Sequence, residues 1–327
     1  MKAYIESIGI ISRCAQSIDE VSDLLRGSEY VPSACPIDFP SRIPPAKMRR
    51  SSRYNKLACT AADNAVSTAG IPDELDRHRI GTILSTGYGS SVSNTQFAYT
   101  VTKQVPGLCS PAIYAGPVPN ACVGQICILN GFKGVSTILT GGDPLEYSAV
   151  LLETDKADRI LCGSIEEYNE ELYSELENID ALKGAELSEG VAMTMLSGER
   201  TDRTICEVSG FSSASLGKSP LLHRTDMSAA DVVSDVLKRY DDVPDAVFNS
   251  ANGTFFDEIE NDGIHKTFCD AELFSTKKYA GETLGCGYMM NMTFATAAIR
   301  TGQYRSVLVT GVDMVGNYCT AMLESVL

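Results

Sequence analysis

A short internal repeat constrains this fold more than any other feature of the sequence. Residues 152–162 align without a gap with residues 299–309, and Glu166 then aligns with Asp313. In each copy a polar segment leads into an apolar strand, and the strands predicted over 245–249 and 306–311 are apolar throughout. Strands of this kind have both faces buried. The repeat therefore predicts a duplicated α/β protein in which each half is a sheet covered by helices.

The segment 136–145 predicts a buried strand that enters a helix through a tight turn. Asp143, at the turn, is a favoured N-cap residue, and Pro144 is favoured at the first helical position. Glu146 follows the cap by three residues, in a pattern similar to a capping box. Many enzymes present a nucleophile at such a turn. Here the local chemistry explains the turn as the start of a helix over 144–154, after a short buried helix predicted over 119–131.

Charge and hydropathy exclude several classes of protein. The net charge of -15 opposes nonspecific attraction to nucleic acid or anionic membranes. No apolar run reaches about 18 residues, so no membrane-spanning helix is expected, and the first residues predict a strand rather than a signal peptide. The chain nevertheless contains one basic cluster, Lys47, Arg49, Arg50 and Arg53. We interpret it as a solvated loop. The alternative is a docking site for an acidic partner.

The cysteines and histidines indicate neither a disulfide framework nor a metal site. Eleven cysteines are scattered through apolar segments without paired spacing, which favours free buried thiols in a reducing cytoplasm. The three histidines form no metal-ligand spacing with cysteines or carboxylates; they are His78, His223 and His265. No metal and no cofactor are therefore expected.

Several motifs resemble those of the β-ketoacyl synthase family. Residues 275–282, Ser-Thr-Lys-Lys-Tyr-Ala-Gly-Glu, match the family's Ser-Thr-Lys-x-x-x-Gly-His run except at the last residue. Residues 110–134 are similar to the segment ahead of the family's nucleophile, and 187–192 resemble its Gly-Glu-Gly-Ala strand. The resemblance implies the duplicated thiolase fold, with two helix-covered mixed sheets in α-β-α-β-α layers. Its halves would span 1–190 and 191–327 within one compact unit.

The family's catalytic residues are mostly exchanged in this chain. Members use a cysteine nucleophile, two histidines and a lysine for decarboxylative condensation. The cysteine position falls on Asp143 and the two histidine positions fall on Asn252 and Glu282, whereas Lys277 is kept. A carboxylate cannot form the family's thioester, and asparagine exchanges no proton near neutral pH. Glutamate at 282 adds negative charge where the enolate would develop. Cys122 is predicted to be a packing residue rather than a substitute nucleophile.

These exchanges resemble those of chain-length factors, which are non-catalytic partners of an active ketosynthase and shape the acyl tunnel. The short chain is most similar to compact subunits of aryl polyene type clusters, in fatty acid or polyketide biosynthesis. Val312 and Met314 occupy the place of the family's gate and are tunnel candidates. The expected partners are a ketosynthase subunit in a heterodimer and, through the complex, an acyl carrier protein.

Two other functions stay open at this point. The first is an unusual acyltransferase or malonyl decarboxylase that uses Asp143, Asn252, Lys277 and Glu282. The second is a stand-alone homodimeric ligand-binding protein of the same fold. The exchanged residues also have a purely structural interpretation, in which Lys277 pairs with Glu282 or Asp143 in a salt-bridged cluster.

Overall fold

The computed structural model describes residues 2–103 and 118–326, in which strands and helices alternate along most of the chain. Residues 110–117 of the predicted pre-nucleophile segment lie outside this part. The ten described strands are Ala3–Ile11 (β1), Ile80–Thr86 (β2), Ser136–Thr140 (β3), Arg159–Glu166 (β4), Gly190–Ser197 (β5), Cys206–Ser215 (β6), Ala246–Asn249 (β7), Glu272–Ser275 (β8), Ser306–Val312 (β9) and Asn317–Ser325 (β10). The described α-helices are Ile18–Leu25 (α1), Pro45–Met48 (α2), Arg53–Ala69 (α3), Ser91–Lys103 (α4), Ala121–Asn130 (α5), Pro144–Glu153 (α6), Glu170–Leu176 (α7), Ala229–Leu237 (α8), Phe256–His265 (α9), Lys277–Ala280 (α10) and Gly287–Arg300 (α11).

The order of the strands confirms the predicted duplication. It runs β3-β2-β4-β5-β1 in the first half and β8-β7-β9-β10-β6 in the second, so each strand has a counterpart five strands later. In the first half β2 pairs parallel with both of its neighbours, and in the second half β7 does the same. Antiparallel pairs complete each half-sheet. The aligned repeats supply β4 and β9, which occupy equivalent places.

The two half-sheets meet at one edge. Ala3–Ile5 of β1 pairs antiparallel with Cys206–Val208 of β6, which makes the hydrogen-bonded sheet continuous over ten strands. The division expected at residue 190 stays a prediction. The strand β5, which begins at Gly190, pairs with β1 and β4.

Three clusters of buried hydrophobic side chains fill the spaces between the helix and sheet layers. The central cluster combines α11 with residues from both half-sheets. The second lies under α3 and α5, and the third lies under α8 and α9. Residues 287–299 of α11 are all buried, and a helix that is buried all round must lie between apolar layers. This arrangement confirms the predicted α-β-α-β-α layers.

Local chemistry sets the helix ends near the functional positions. The side chain of Ser52 caps α3 by accepting from the backbone N–H of Asn55, and Gly70 ends this helix in the left-handed conformation. Asp143 caps α6, as predicted, and Pro144 is its first residue. Both helix starts follow from residues that are adjacent in the sequence.

Two elements predicted to be buried are only partly so. β3 stands at the end of the strand order, and its five residues are half-buried or exposed. On α5, the Ile128 side chain is 77% exposed. An edge strand lacks a neighbour on one side, so its apolar residues and those of the adjacent helix are only partly covered.

Within residues 2–103 and 118–326, no helix combines the length and the apolar character needed to cross a bilayer. The same residues contain no group of histidine, cysteine and carboxylate side chains arranged to hold a metal ion. The ten described cysteines are free thiols.

Candidate functional site

The turn after β3 positions Asp143 as a helix cap. Asp143 Oδ1 accepts from the backbone N–H groups of Leu145 at 2.8 Å and Glu146 at 3.1 Å. The protein around this carboxyl group removes it from water and raises its pKa to about 7, although both backbone donors act in the opposite direction. The accepting oxygen is therefore engaged in starting α6.

The other three predicted positions come together at the ends of β7 and β8. Asn252 lies in the loop after β7, Lys277 is the first residue of α10, and Glu282 follows that short helix. Glu282 Oε2 accepts from Lys277 Nζ and from Asn252 Nδ2, each at 2.6 Å. Its other oxygen, Oε1, accepts from the backbone N–H of Leu284 at 2.7 Å.

The ion pair of this cluster is closed to water, whereas Asn252 is half-buried. The side chains of Lys277 and Glu282 are 4% and 0% exposed. Backbone bonds from Ser188 N to Glu282 O and from Glu282 N to Glu186 O hold the segment before β5 against it. The positive charge of the lysine is thus neutralised by a carboxylate, at the position that the predicted alignment gives to a histidine.

Asp143 stands apart from this cluster. In the described part of the chain no hydrogen bond or ion pair joins Asp143 to Lys277, Glu282 or Asn252. Of the two predicted partners of Lys277, the structure therefore selects Glu282. The assignment of Asp143, Asn252 and Glu282 as degenerate catalytic positions, with Lys277 retained, remains a prediction.

The two gate candidates are packed against the body of the protein. Val312 and Met314 are 5% and 9% exposed and belong to the same buried cluster as Leu284. Met314 lies over Gly87, where an added Cβ would stand 2.5 Å from Met314 Cγ. Their role in a tunnel remains a prediction.

The sequence interpretation missed the role of two buried carboxylates that the repeat places at equivalent positions. Glu166 accepts from the backbone N–H groups of Gly87 and Tyr88 in the loop after β2. Asp313 accepts from the N–H of Gly142, at 2.6 Å, in the turn before Asp143. The alignment of Glu166 with Asp313 was the signal, because a carboxylate kept at the end of a buried strand needs donors nearby.

We expect Glu166 to make stability depend on pH. Burial raises its pKa from 4.5 to about 8, against the lowering effect of its backbone donors. Between about pH 4.5 and pH 8 the folded chain holds a proton that the unfolded chain releases. The free energy of unfolding should therefore fall as pH rises through this range, by a few kcal/mol in order of magnitude. Urea unfolding at a series of pH values measures the slope.

The matched variant for this measurement is Glu166→Gln, which keeps an oxygen for the loop donors and removes the titrating group. Its slope should flatten most between pH 7 and pH 8, since burial raises the pKa values of Asp143 and Glu167 only to about 7. The exposed Glu74 gives the control Glu74→Gln, which should leave the slope unchanged. An equally steep slope in Glu166→Gln would contradict the assignment.

Two further predictions concern Cys122 and the basic cluster. Cys122 is fully buried beneath α3, and burial raises its thiol pKa to about 12, which agrees with a packing role. Lys47, Arg49 and Arg50 are exposed and solvated, but Lys47 belongs to the short helix α2 and only the other two follow it in a turn. Arg53 differs, because it forms two bonds, of 2.5 and 2.6 Å, to the buried carboxylate of Glu189.

Comparison with known proteins supports the predicted family. Residues 34–143 match the N-terminal domain of the β-ketoacyl synthases. A curated relative, the 3-oxoacyl-(acyl-carrier-protein) synthase 2 of Rhizobium meliloti, is 26% identical over 129 residues. These residues are 37% of this chain and 31% of the relative, so the match spans less than a third of the relative's length.

Solved structures resemble the whole chain. The ishigamide ketosynthase/chain length factor gives a TM-score of 0.83 at 18% identity, covering 100% of both chains. The ketosynthase ApeO in complex with its chain length factor ApeC, from Xenorhabdus doucetiae, gives 0.75 at 15% identity, covering 99% of this chain and 98% of that chain. A β-ketoacyl synthase from Burkholderia phymatum gives 0.79 at 14% identity, covering 100% of both chains.

The chain is thus a protein of the thiolase-like ketosynthase fold. The predicted resemblance to the β-ketoacyl synthase family is confirmed over residues 34–143, and the motifs at 187–192 and 275–282 lie outside that match.

Proposed function

We propose that this chain is a chain-length-factor-like subunit, a non-condensing partner of an active β-ketoacyl synthase in the cytoplasm. The buried Lys277–Glu282–Asn252 cluster carries this proposal. A condensing site needs a free nucleophile and groups that stabilise a developing negative charge. In this cluster the one cation is already paired with a carboxylate. The chain keeps the fold but, by the predicted alignment, lacks most of the family's usual catalytic residues, which suits a partner that shapes the acyl tunnel. We place it in fatty acid or polyketide biosynthesis, in a cluster of the aryl polyene type.

The edge of the sheet at β3, with α5 in one buried cluster and α6 in another, suits the docking of such a partner. The strand β3 is an edge strand, and α5 and α6 flank it along the chain. Three apolar side chains of these helices are exposed, by 77% at Ile128, 39% at Tyr147 and 37% at Val150. We call β3 with these three side chains the edge surface. An unpaired strand edge beside exposed apolar side chains favours association with another chain.

The named neighbours support a complex of two subunits. One solved relative is a ketosynthase with its chain length factor, and another is an acyl carrier protein in complex with its ketosynthase. For this chain we propose a ketosynthase heterodimer that an acyl carrier protein reaches, with no cofactor of its own.

Co-expression with the ketosynthase encoded by the neighbouring gene tests the proposal. We expect a 1:1 complex that elongates acyl groups, whereas the isolated chain should show no elongation. Size measurement by light scattering gives the stoichiometry, and product analysis gives the activity. Elongation by the purified chain alone would overturn the proposal, and a stable homodimer that ignores the ketosynthase would favour the ligand-binding alternative.

The acyltransferase or decarboxylase alternative finds less support in the geometry. It requires Asp143 to act together with Asn252, Lys277 and Glu282. The described structure separates Asp143 from the other three and engages its Oδ1 in two backbone hydrogen bonds.

A further inference from the structure

The buried cluster holds a primary amine beside a side-chain amide. Glu282 Oε2 accepts from Lys277 Nζ and from Asn252 Nδ2, at 2.6 Å in both cases. Two nitrogen atoms bonded to the same oxygen cannot lie farther apart than twice this distance. The amine is therefore near the amide of Asn252, with a carboxylate in contact with both.

The carbonyl oxygen of the same amide is also held by donors. Asn252 Oδ1 accepts from Thr254 Oγ1 at 2.7 Å and from the backbone N–H of Thr254 at 3.2 Å. Donors of this kind stabilise the negative charge that develops on a carbonyl oxygen under attack. The site thus contains a nucleophile, a proton acceptor and an oxyanion-binding pair around one carbon atom, Asn252 Cγ.

We propose that Lys277 and Asn252 form an intramolecular isopeptide bond, with Glu282 as the proton relay. Lys277 Nζ first transfers a proton to Glu282 Oε2, and its lone pair then attacks Asn252 Cγ. The Nζ–Cγ bond forms and the Cγ–Nδ2 bond breaks. Glu282 passes its proton to Nδ2, which leaves as ammonia, and takes up the second Nζ proton, so the buried carboxyl group ends neutral. The reaction needs no oxidant and no cofactor.

Burial favours each step. The first proton transfer converts two buried charges into two neutral groups, which are less costly in a site closed to water. The fold holds the reacting groups together before the reaction, so no translational or rotational entropy is lost in bringing them together. The product would join the loop after β7 to α10 and close a loop of the chain, which restricts the unfolded state as a disulfide does.

A competing reaction at the same residue has to be distinguished. In an Asn-Gly sequence the following backbone nitrogen can attack the side-chain amide, and the resulting succinimide also loses ammonia. Here the N–H of Gly253 donates to Asp257 Oδ2 at 2.9 Å. This bond engages the backbone nitrogen, whereas Lys277 Nζ stays in contact with the relay.

Mass spectrometry of the purified full chain tests the proposal. We expect an intact mass below that of the sequence by one ammonia molecule, and a tryptic digest in which the peptides containing residues 252 and 277 stay joined. Lys277→Arg keeps a cation beside Glu282, and its measured mass should equal the mass calculated from its own sequence. Asn252→Ala should restore the mass of its own sequence, and Glu282→Gln, checked for folding by circular dichroism, should do the same.

Three results would overturn the proposal. The first is a wild-type mass equal to that of the sequence. The second is a loss of ammonia that persists in Lys277→Arg, which would indicate the succinimide. The third is a loss of water instead of ammonia, which would indicate an amide between Lys277 and Glu282. None of these results gives the cluster a free nucleophile or an unpaired cation, so the heterodimer proposal is tested separately, by co-expression.

Discussion

Replacing Lys277 with alanine should destabilise the protein by about 3–5 kcal/mol, the usual cost of leaving one member of a buried ion pair without its partner. The Lys277 and Glu282 side chains are 4% and 0% exposed, so water cannot solvate the glutamate once the lysine is removed. The free energy of unfolding, measured with urea and followed by circular dichroism, gives the size of the effect.

Two matched variants separate the pair from its surroundings. Lys278 follows Lys277 in α10 and is exposed, so Lys278→Ala should cost well under half as much. The double variant Lys277→Met, Glu282→Gln removes both charges and leaves an oxygen for the Asn252 amide. It should recover most of the stability, because no unpaired buried charge remains. A neutral Lys277→Ala would show that the ion pair does not stabilise the fold.

In the cross-linked chain Lys277 is a neutral amide, so the loss in Lys277→Ala would then measure the missing cross-link in place of the broken ion pair. The double variant distinguishes the two cases. It restores charge balance but cannot form the cross-link, so any stability that it fails to recover measures the cross-link together with lost packing.

The second large effect concerns the edge surface. Ile128→Asp should weaken the heterodimer at least about 100-fold, since burying an unpaired carboxylate in an interface costs several kcal/mol. The isolated chain should keep its stability, because the Ile128 side chain is already 77% exposed. Titration of the purified ketosynthase with each variant, followed by light scattering or calorimetry, gives the dissociation constants.

Val243 supplies the control for this prediction. Its side chain is 63% exposed and it lies just before β7, near the other end of the strand order from β3. Val243→Asp should therefore leave the dissociation constant unchanged. If Val243→Asp weakened the complex while Ile128→Asp did not, the partner would dock elsewhere than on the edge surface.

Much of the fold could be predicted from the sequence, because its signals are local or periodic. The repeat at 152–162 and 299–309 indicated the duplication, and the structure places its two copies in equivalent strands, β4 and β9. Asp143 indicated a helix start that depends on neighbouring backbone groups. The composition of 136–140 also indicated a strand, but not that this strand would stand at an edge. Its exposure depends on which strands lie beside it.

For the candidate site too, some features could be predicted from the sequence and others depend on the tertiary structure. From the sequence by itself came the prediction of which residues stand at the family's catalytic positions, based on the motif at 275–282. Only the tertiary structure decided that Glu282 pairs with Lys277 and Asn252 while Asp143 caps α6. The same holds for Glu166 and Asp313, which bind loops of the first half. Short-range rules set a cap, whereas the partner of a buried charge depends on which distant segments the packed sheets bring within hydrogen-bonding distance.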